Sequence, residues 1–341
     1  MKPVLSVLID TYNHERYIEN ALLSAIEQDF PVKDYEILVV DDGSTDATPE
    51  IIRRFAPRVR LLRKMNGGQA SAFNAGFPEL RGEIIALLDG DDWFAPGKLT
   101  AVMKALEEHP EAGAVGHGYY EFHESANKAH IRAPRESKLL NLETPENARE
   151  ALDGWPFLLM GAHTLRRSVL QKVIPIPEEL IFCADTPIIM ASMASGAYLL
   201  TEPFSYYRHH AQNLCAVTAN DSNKLRVRYD MLEKAFALME PLLDSLGVSK
   251  ESARAVLYRD WVLISRLNLA AHGGSRFRTV RTELRDFALL HPNPSVSYRA
   301  FKYLFVTAAA LVLPPQLFYK VRDWYGKREL GRFREKVLTS R

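Results

Sequence analysis

The stretch that most constrains this chain is the apolar run Ile84-Ile85-Ala86-Leu87-Leu88, which passes directly into Asp89-Gly90-Asp91-Asp92-Trp93. Five consecutive apolar residues without polar alternation suit a strand buried on both faces, as in a parallel sheet. The three carboxylates that follow repel one another and raise each other's pKa, so they are best accommodated when a divalent cation or another cationic group compensates their charge. All-oxygen donors of this kind suit Mg²⁺ or Mn²⁺, which commonly bridge carboxylates to substrate phosphates. The alternative is a plain polar strand end in water, and the rest of the chain weighs against it.

Val4 to Ile9 form a strand candidate ending at Asp10-Thr11-Tyr12-Asn13, after which Ile18, Ala21, Leu22, Ala25 and Ile26 recur at helical spacing. The unit repeats. Tyr35 to Val40 run into Asp41-Asp42-Gly43-Ser44, and Thr48-Pro49 opens a helix expected through Phe55. Val59 to Leu62 is a third strand, followed by Asn66-Gly67-Gly68-Gln69 and a helical stretch with Ala72, Phe73 and Phe77. Strands alternating with helices imply a mostly parallel sheet covered on both faces, with ligands beyond the carboxyl ends of its strands. Tyr12 then offers an aromatic face for a base, Asp42 a carboxylate for a base N–H or ribose hydroxyl, and the Asp89 cluster a metal seat on a pyrophosphate. Tyr12 could equally pack on the sheet edge, and Asp42 could close an Asx-turn before Gly43. No G-x-G-x-x-G follows the first strand, and no G-x-x-x-x-G-K-[ST] occurs anywhere.

With 341 residues, 47% of them apolar, one large or two modest domains can bury a sizeable core. The formal charge of +1 argues against a general nucleic-acid binder. Two cysteines, Cys183 and Cys215, lack metal-ligand spacing and suit a reducing compartment. The N-terminal apolar stretch turns polar too quickly for a signal peptide, so a cytoplasmic protein is expected.

The segments SVLIDTYNHERYIENALLSAIEQ, EILVVDDGSTDATPEII, NGGQASAFNAG and GEIIALLDGDDW together resemble the family 2 glycosyltransferases with the GT-A fold, over roughly residues 1 to 215. The resemblance implies an α/β GT-A domain that transfers a sugar from a nucleotide diphosphate donor, with UDP expected, to a hydroxyl acceptor, inverting the anomeric carbon with Mn²⁺ or Mg²⁺. It places Asp10 and Tyr12 at the nucleobase, Asp42 on the uracil ring, and Asn66, Gln69 and Asn74 along the donor pocket. Asp89 falls toward the ribose, Asp91 toward the metal and Asp92 toward the donor sugar. Phe73 stands where many members carry Arg.

Further along, Ala112 to Tyr120 reads as a strand with His117 as a packed histidine, and residues 124 to 150 read as a polar, irregular loop that could act as a lid. Gly161 to Ser168 resembles the family segment preceding the helix of the catalytic base. Asp185 occupies the base position, although the usual preceding Glu is Ala184 here. Asp185 could also cap its helix, with Pro187 following. The stretch Tyr206-Tyr207-Arg208-His209-His210 resembles the family's Tyr-Arg-x-His ending. It implies Arg208 on the pyrophosphate and one histidine at the metal, for which His209 is taken.

Residues 216 to 341 read as a helical region, with periodic runs from Leu225 to Met239, Ala253 to Ala271 and Phe277 to Leu290. The apolar run Phe301 to Leu313 is shorter than the ~20 residues a spanning helix needs. The aromatic and basic residues that follow suit either an anionic membrane surface, which would bring in a lipid-linked or saccharide acceptor at the inner face of the cell membrane, or a homo-oligomer interface. The whole therefore reads as a glycosyltransferase of cell-surface polysaccharide or glycolipid synthesis. A nucleotidyltransferase and a silent nucleotide-sugar-binding scaffold are the alternatives.

Overall fold

The computed structural model describes residues 2–180, 184–210 and 222–290, together with 305, 308–309, 312–318 and 320–321. Cys183, Cys215, most of the run 301–313 and the basic tail lie outside the described residues. The chain forms two units, residues 1–215 with 237–256, and residues 216–236 with 257–341.

In the first unit the apolar runs become β1 (Leu5–Thr11), β2 (Tyr35–Asp41), β3 (Val59–Arg63) and β4 (Ile84–Asp89), parallel in the order β3-β2-β1-β4. Alternate residues of β1 serve opposite faces. Leu5, Val7 and Ile9 pack with Ile18 and Leu22 of α1 (Ile18–Ile26) and Leu99 and Val102 of α4 (Lys98–Glu108). Leu8 and Val40 face α3 (Gln69–Gly76), which approaches so closely that a Cβ on Gly76 would lie 2.7 Å from Val40 Cγ2. Each such fully buried aliphatic side chain contributes about 1.5–3 kcal/mol. The helix after β2, α2 (Thr48–Arg53), ends before Phe55.

The sheet continues beyond β4 with mixed polarity, in the order β4-β9-β6-β10-β5. Here β5 is Trp93–Phe94, β6 is Ala114–His123, β9 is His163–Arg166 and β10 is Ala197–His209. Strand β9 runs antiparallel to both neighbours, whereas β6 and β10 run parallel to each other.

Residues 124 to 150 do not form the irregular loop that their polarity suggests. They fold into β7 (Lys128–Arg132), β8 (Lys138–Leu140) and most of α5 (Pro145–Gly154). Strand β7 is exposed along nearly its whole length and, among the described residues, pairs only with β6, so it has no buried face to impose an apolar alternation. Its backbone bonds hold it where the sequence shows no period. Helix α5 packs with α9 (Lys250–Val256). The chain also forms α6 (Arg167–Leu170), α7 (Thr186–Ala194) and the long α8 (Ser222–Ser245). In the second unit, α10 (Tyr258–His272) and α11 (Arg276–Leu290) pack together, with Leu269, Val280 and Phe318 forming a small core. The single helical run expected from Ala253 to Ala271 is thus divided between α9 and α10.

Candidate active site

Parallel register brings the carboxylates together. Ile9 pairs with Leu88 and Asp10 with Asp89, so the two carboxylates stand side by side at the carboxyl edge of the sheet. Gln69, the first residue of α3, donates its Nε2–H to both, at 3.2 Å from Asp10 Oδ2 and 3.0 Å from Asp89 Oδ1. The other oxygen of Asp10 is buried with no hydrogen-bond partner. Burial first, then the charge of Asp91, pushes the Asp10 carboxyl up to about 7. Burial and the neighbouring Asp10 push Asp89 well above the usual carboxylate range. Two carboxylates this close hold a proton between them when nothing else neutralises them.

Asp91 behaves differently. Burial would raise it, but His210 Nε2 lies 3.0 Å from its Oδ2 and His14 Nε2 lies 3.9 Å away, and these contacts hold it below the ordinary value. Asp92 is buried and accepts the backbone N–H of Arg208 at 2.8 Å, while burial and Asp91 raise its pKa well above the ordinary range. Asp89, Asp91 and Asp92 present oxygens that all lie within 4.8 Å of one another. A crowded all-oxygen set beside an orphaned buried carboxylate oxygen fits a divalent cation of the Mg²⁺ or Mn²⁺ kind.

Asp185 occupies the N-cap position of α7, and its side chain makes no capping hydrogen bond. Burial raises its pKa to about 6, against the pull of nearby backbone N–H groups. One cavity of about 660 Å³ is lined by Asp10, Asp42, Asp89, Asp91, Asp92 and Asp185 together. Tyr12, Asn66 and Gln69 line it as well, with Tyr12 44% exposed and free to meet a flat ligand. Asp42 is almost fully buried, and its carboxylate is heavily engaged. It accepts from Gly68 N–H at 2.7 Å, Gly67 N–H at 3.0 Å, Asn66 Nδ2 at 3.1 Å and Lys64 Nζ at 2.7 Å. Asp42 therefore shapes the 66–68 loop in addition to facing the cavity.

Three residues expected at the donor or metal are placed elsewhere. Asn74 clamps the Ile176 backbone, donating to its carbonyl at 2.7 Å and accepting its N–H at 2.8 Å, and it does not line the cavity. The guanidinium of Arg208 sits 4.4 Å from the Trp93 ring centroid and 4.9 Å from that of Tyr17, and its Nε–H donates to the Asp91 carbonyl. It braces the Asp91 loop from behind. His209 is engaged by Glu121 of β6, its Nε2 3.0 Å from Oε1, and His210 takes the place beside Asp91 that was expected of His209. Successive residues at the end of a strand face opposite ways, so only one of the two can reach Asp91.

The sequence alone points to no role for His14, four residues beyond Asp10, nor for Tyr119, Tyr207, Leu159 and Met160, all of which line the cavity beside Gly161 and Ala162. A histidine in a strand-tip loop was the available signal for the first. Behind residues 159–162, Lys98 is fully buried, donates to the Gly161 carbonyl at 2.7 Å and lies 3.7 Å from the centre of the Phe94 ring. Burial lowers its pKa well below the ordinary lysine value.

This geometry agrees with the comparisons to known proteins. Residues 6–174 match the family model described as glycosyl transferase family 2, and this match together with glycosyltransferase relatives supports a family 2 glycosyltransferase. A glycosyltransferase of Nostoc sp., itself uncharacterised, is 33% identical over 215 residues, covering 61% of this chain and 66% of its own length, so the chain matches just under two thirds of that relative. The crystal structure of TarS from Staphylococcus aureus with UDP-GlcNAc aligns over 91% of this chain and 90% of its own, with a TM-score of 0.57 and 18% identity. A mannosyltransferase from Pyrobaculum calidifontis, in complex with GDP-Man and Mn²⁺, aligns over 96% and 88% with a TM-score of 0.53 and 20% identity. These two likenesses establish the GT-A fold.

Proposed function

We propose that the protein is an inverting, metal-dependent glycosyltransferase that moves a sugar from a UDP-linked donor to a hydroxyl acceptor in cell-surface polysaccharide or glycolipid synthesis. The observation that carries this reading is the single cavity shared by the Asp89–Asp92 cluster and Asp185. The nucleotide sugars and Mn²⁺ bound by proteins of the same fold support it.

Asp91 and Asp89, with His210 beside Asp91, would hold Mn²⁺ or Mg²⁺ against the donor diphosphate. A cation bound there supplies Lewis-acid stabilisation of the charge that builds on the departing diphosphate. Tyr12 stacks on the nucleobase, and Asn66, held by Asp42, meets the uracil edge. Asp185 acts from α7. As a carboxylate at neutral pH it accepts the proton of the acceptor hydroxyl while that oxygen bonds to the anomeric carbon and the bond to the diphosphate breaks, a direct displacement that inverts the centre. A base whose pKa is about 6 is matched to work near neutrality. Among the described residues no helix is long and apolar enough to cross a membrane. We assign the basic, aromatic segment after residue 300 to peripheral contact with the inner face of the cell membrane, which gives access to a lipid-linked acceptor.

A thermal-shift screen of UDP- and GDP-linked sugars, with and without Mn²⁺, tests the proposal. UDP-sugars should stabilise the protein in a Mn²⁺-dependent manner, and Asp91→Asn should abolish that dependence. Stabilisation by no nucleotide sugar, or by all of them without metal, would refute it.

A further inference from the structure

His209, engaged with Glu121 rather than Asp91, belongs to a second cluster. It pairs in register with His123 on the neighbouring β6, and Glu121 lies two residues earlier on the same face of that strand. On the far side of β6, His130 of β7 pairs with Glu121, so three strands contribute to one patch. The donor atoms of Glu121, His123 and His209 all lie within 4.8 Å of one another. The His123 and His130 ring centroids are 6.0 Å apart.

We propose that Glu121, His123 and His209, with His130 at their edge, form a second cation site that takes a transition metal of the Zn²⁺ kind and is distinct from the acidic cluster in the cavity. The donor chemistry separates the two. Two or three imidazoles and one carboxylate match Zn²⁺, Co²⁺ or Ni²⁺, whereas the oxygen-only set of Asp89, Asp91 and Asp92 matches Mg²⁺ or Mn²⁺. The carboxylate is already oriented. Arg132 Nε donates to Glu121 Oε2 at 2.7 Å, which leaves Oε1, 3.0 Å from His209 Nε2, as the ligating oxygen. Such an outer partner is the usual support of a metal-binding carboxylate. The rings of His123 and His209 are stacked, with centroids 4.4 Å apart and planes 7° from parallel. A metal lies in the plane of each ring it binds, so both rings turn about their Cβ–Cγ bonds on loading. All three side chains are only half-buried, and the turn is open to them. Tyr119 and Tyr207, which line the cavity, precede Glu121 and His209 by two residues on their strands, so a metal here would tie together the strands that carry that wall.

The test uses the full chain carrying Asp91→Asn, which disables the acidic cluster, titrated with Co²⁺ alone by visible absorption and with Zn²⁺ alone by calorimetry. One equivalent of Co²⁺ should bind with intense d–d bands of low coordination number, and adding His123→Ala should weaken binding at least tenfold. Glu121→Gln, a milder change, should weaken it in the same direction, with circular dichroism confirming that each variant is folded. Binding unchanged by both substitutions, or absent once Asp91 is replaced, would overturn the proposal and leave the cluster as histidine stacking and an ion pair.

Discussion

Two parts of one cavity treat their carboxylates in opposite ways. At the sheet edge, Asp10, Asp89, Asp91 and Asp92 crowd together, and Gln69, His210 and the Arg208 N–H hold them in place. At the start of α7, Asp185 stands without a capping bond, and burial alone dominates its raised pKa. Groups packed against like charge are suited to gathering a cation, and a solitary carboxylate tuned toward neutrality is suited to taking a proton. The two parts differ in kind, so damage to each should fail in its own way.

The largest effect is expected at the edge. Asp91→Asn should reduce metal-stimulated transfer by about 10³-fold or more and remove the Mn²⁺ dependence of UDP binding measured by calorimetry. Unchanged Mn²⁺-dependent affinity would erase the distinction between the two parts. His210→Ala removes the partner beside Asp91 and should weaken Mn²⁺ about 10–100-fold, whereas His209→Ala should leave that Mn²⁺ affinity within about twofold. Equal losses in the two variants would contradict the orientation of the strand end.

The pH dependence sharpens the other part. The rate should rise with pH through an apparent pKa of about 6 as Asp185 loses its proton, and then level off. The linkage runs the opposite way for stability. A carboxyl with a raised folded-state pKa favours the fold below its unfolded-state pKa, and this support is lost as pH rises through about 6. Asp185→Asn should therefore raise the melting temperature more at pH 7.5 than at pH 4.5, and an equal shift at both would show that burial does not set the pKa. The smallest effect on function belongs to Asn74→Ala. It should lose about 1–3 kcal/mol of stability with its two Ile176 hydrogen bonds and leave nucleotide affinity unaltered, which denaturant unfolding and calorimetry would check together.

The first ninety residues were legible because β1, β2 and β4 are largely apolar runs that reach an Asp at or next to their ends, and a parallel register then brings those ends together. The parallel pairing of the first four strands is what the alternation of strands and helices implies, whereas their order β3-β2-β1-β4 is seen only in the structure. Other features left no such mark. Strand β9 has four residues, and its antiparallel insertion between β4 and β6 follows from pairing across the fold. Strand β7 is solvent-exposed and carries no hydrophobic period. Side-chain direction was harder still. Position in the chain puts Arg208, His209 and Asn74 near the site, but the aromatic cage of Tyr17 and Trp93, the alternation at the end of β10 and the Ile176 backbone decide where they point. The engagement of Asp42 with the Gly67 and Gly68 N–H groups likewise depends on a loop that comes back from β3.

The division of labour within the cavity is tested most directly by the Asp185→Asn protein, with Mn²⁺-dependent UDP binding by calorimetry and sugar transfer by product formation measured on the same preparation. The account predicts nucleotide affinity within about threefold of the unsubstituted chain and transfer reduced by about 10²–10⁴-fold. Transfer at a near-normal rate, or loss of nucleotide affinity in step with transfer, would contradict it.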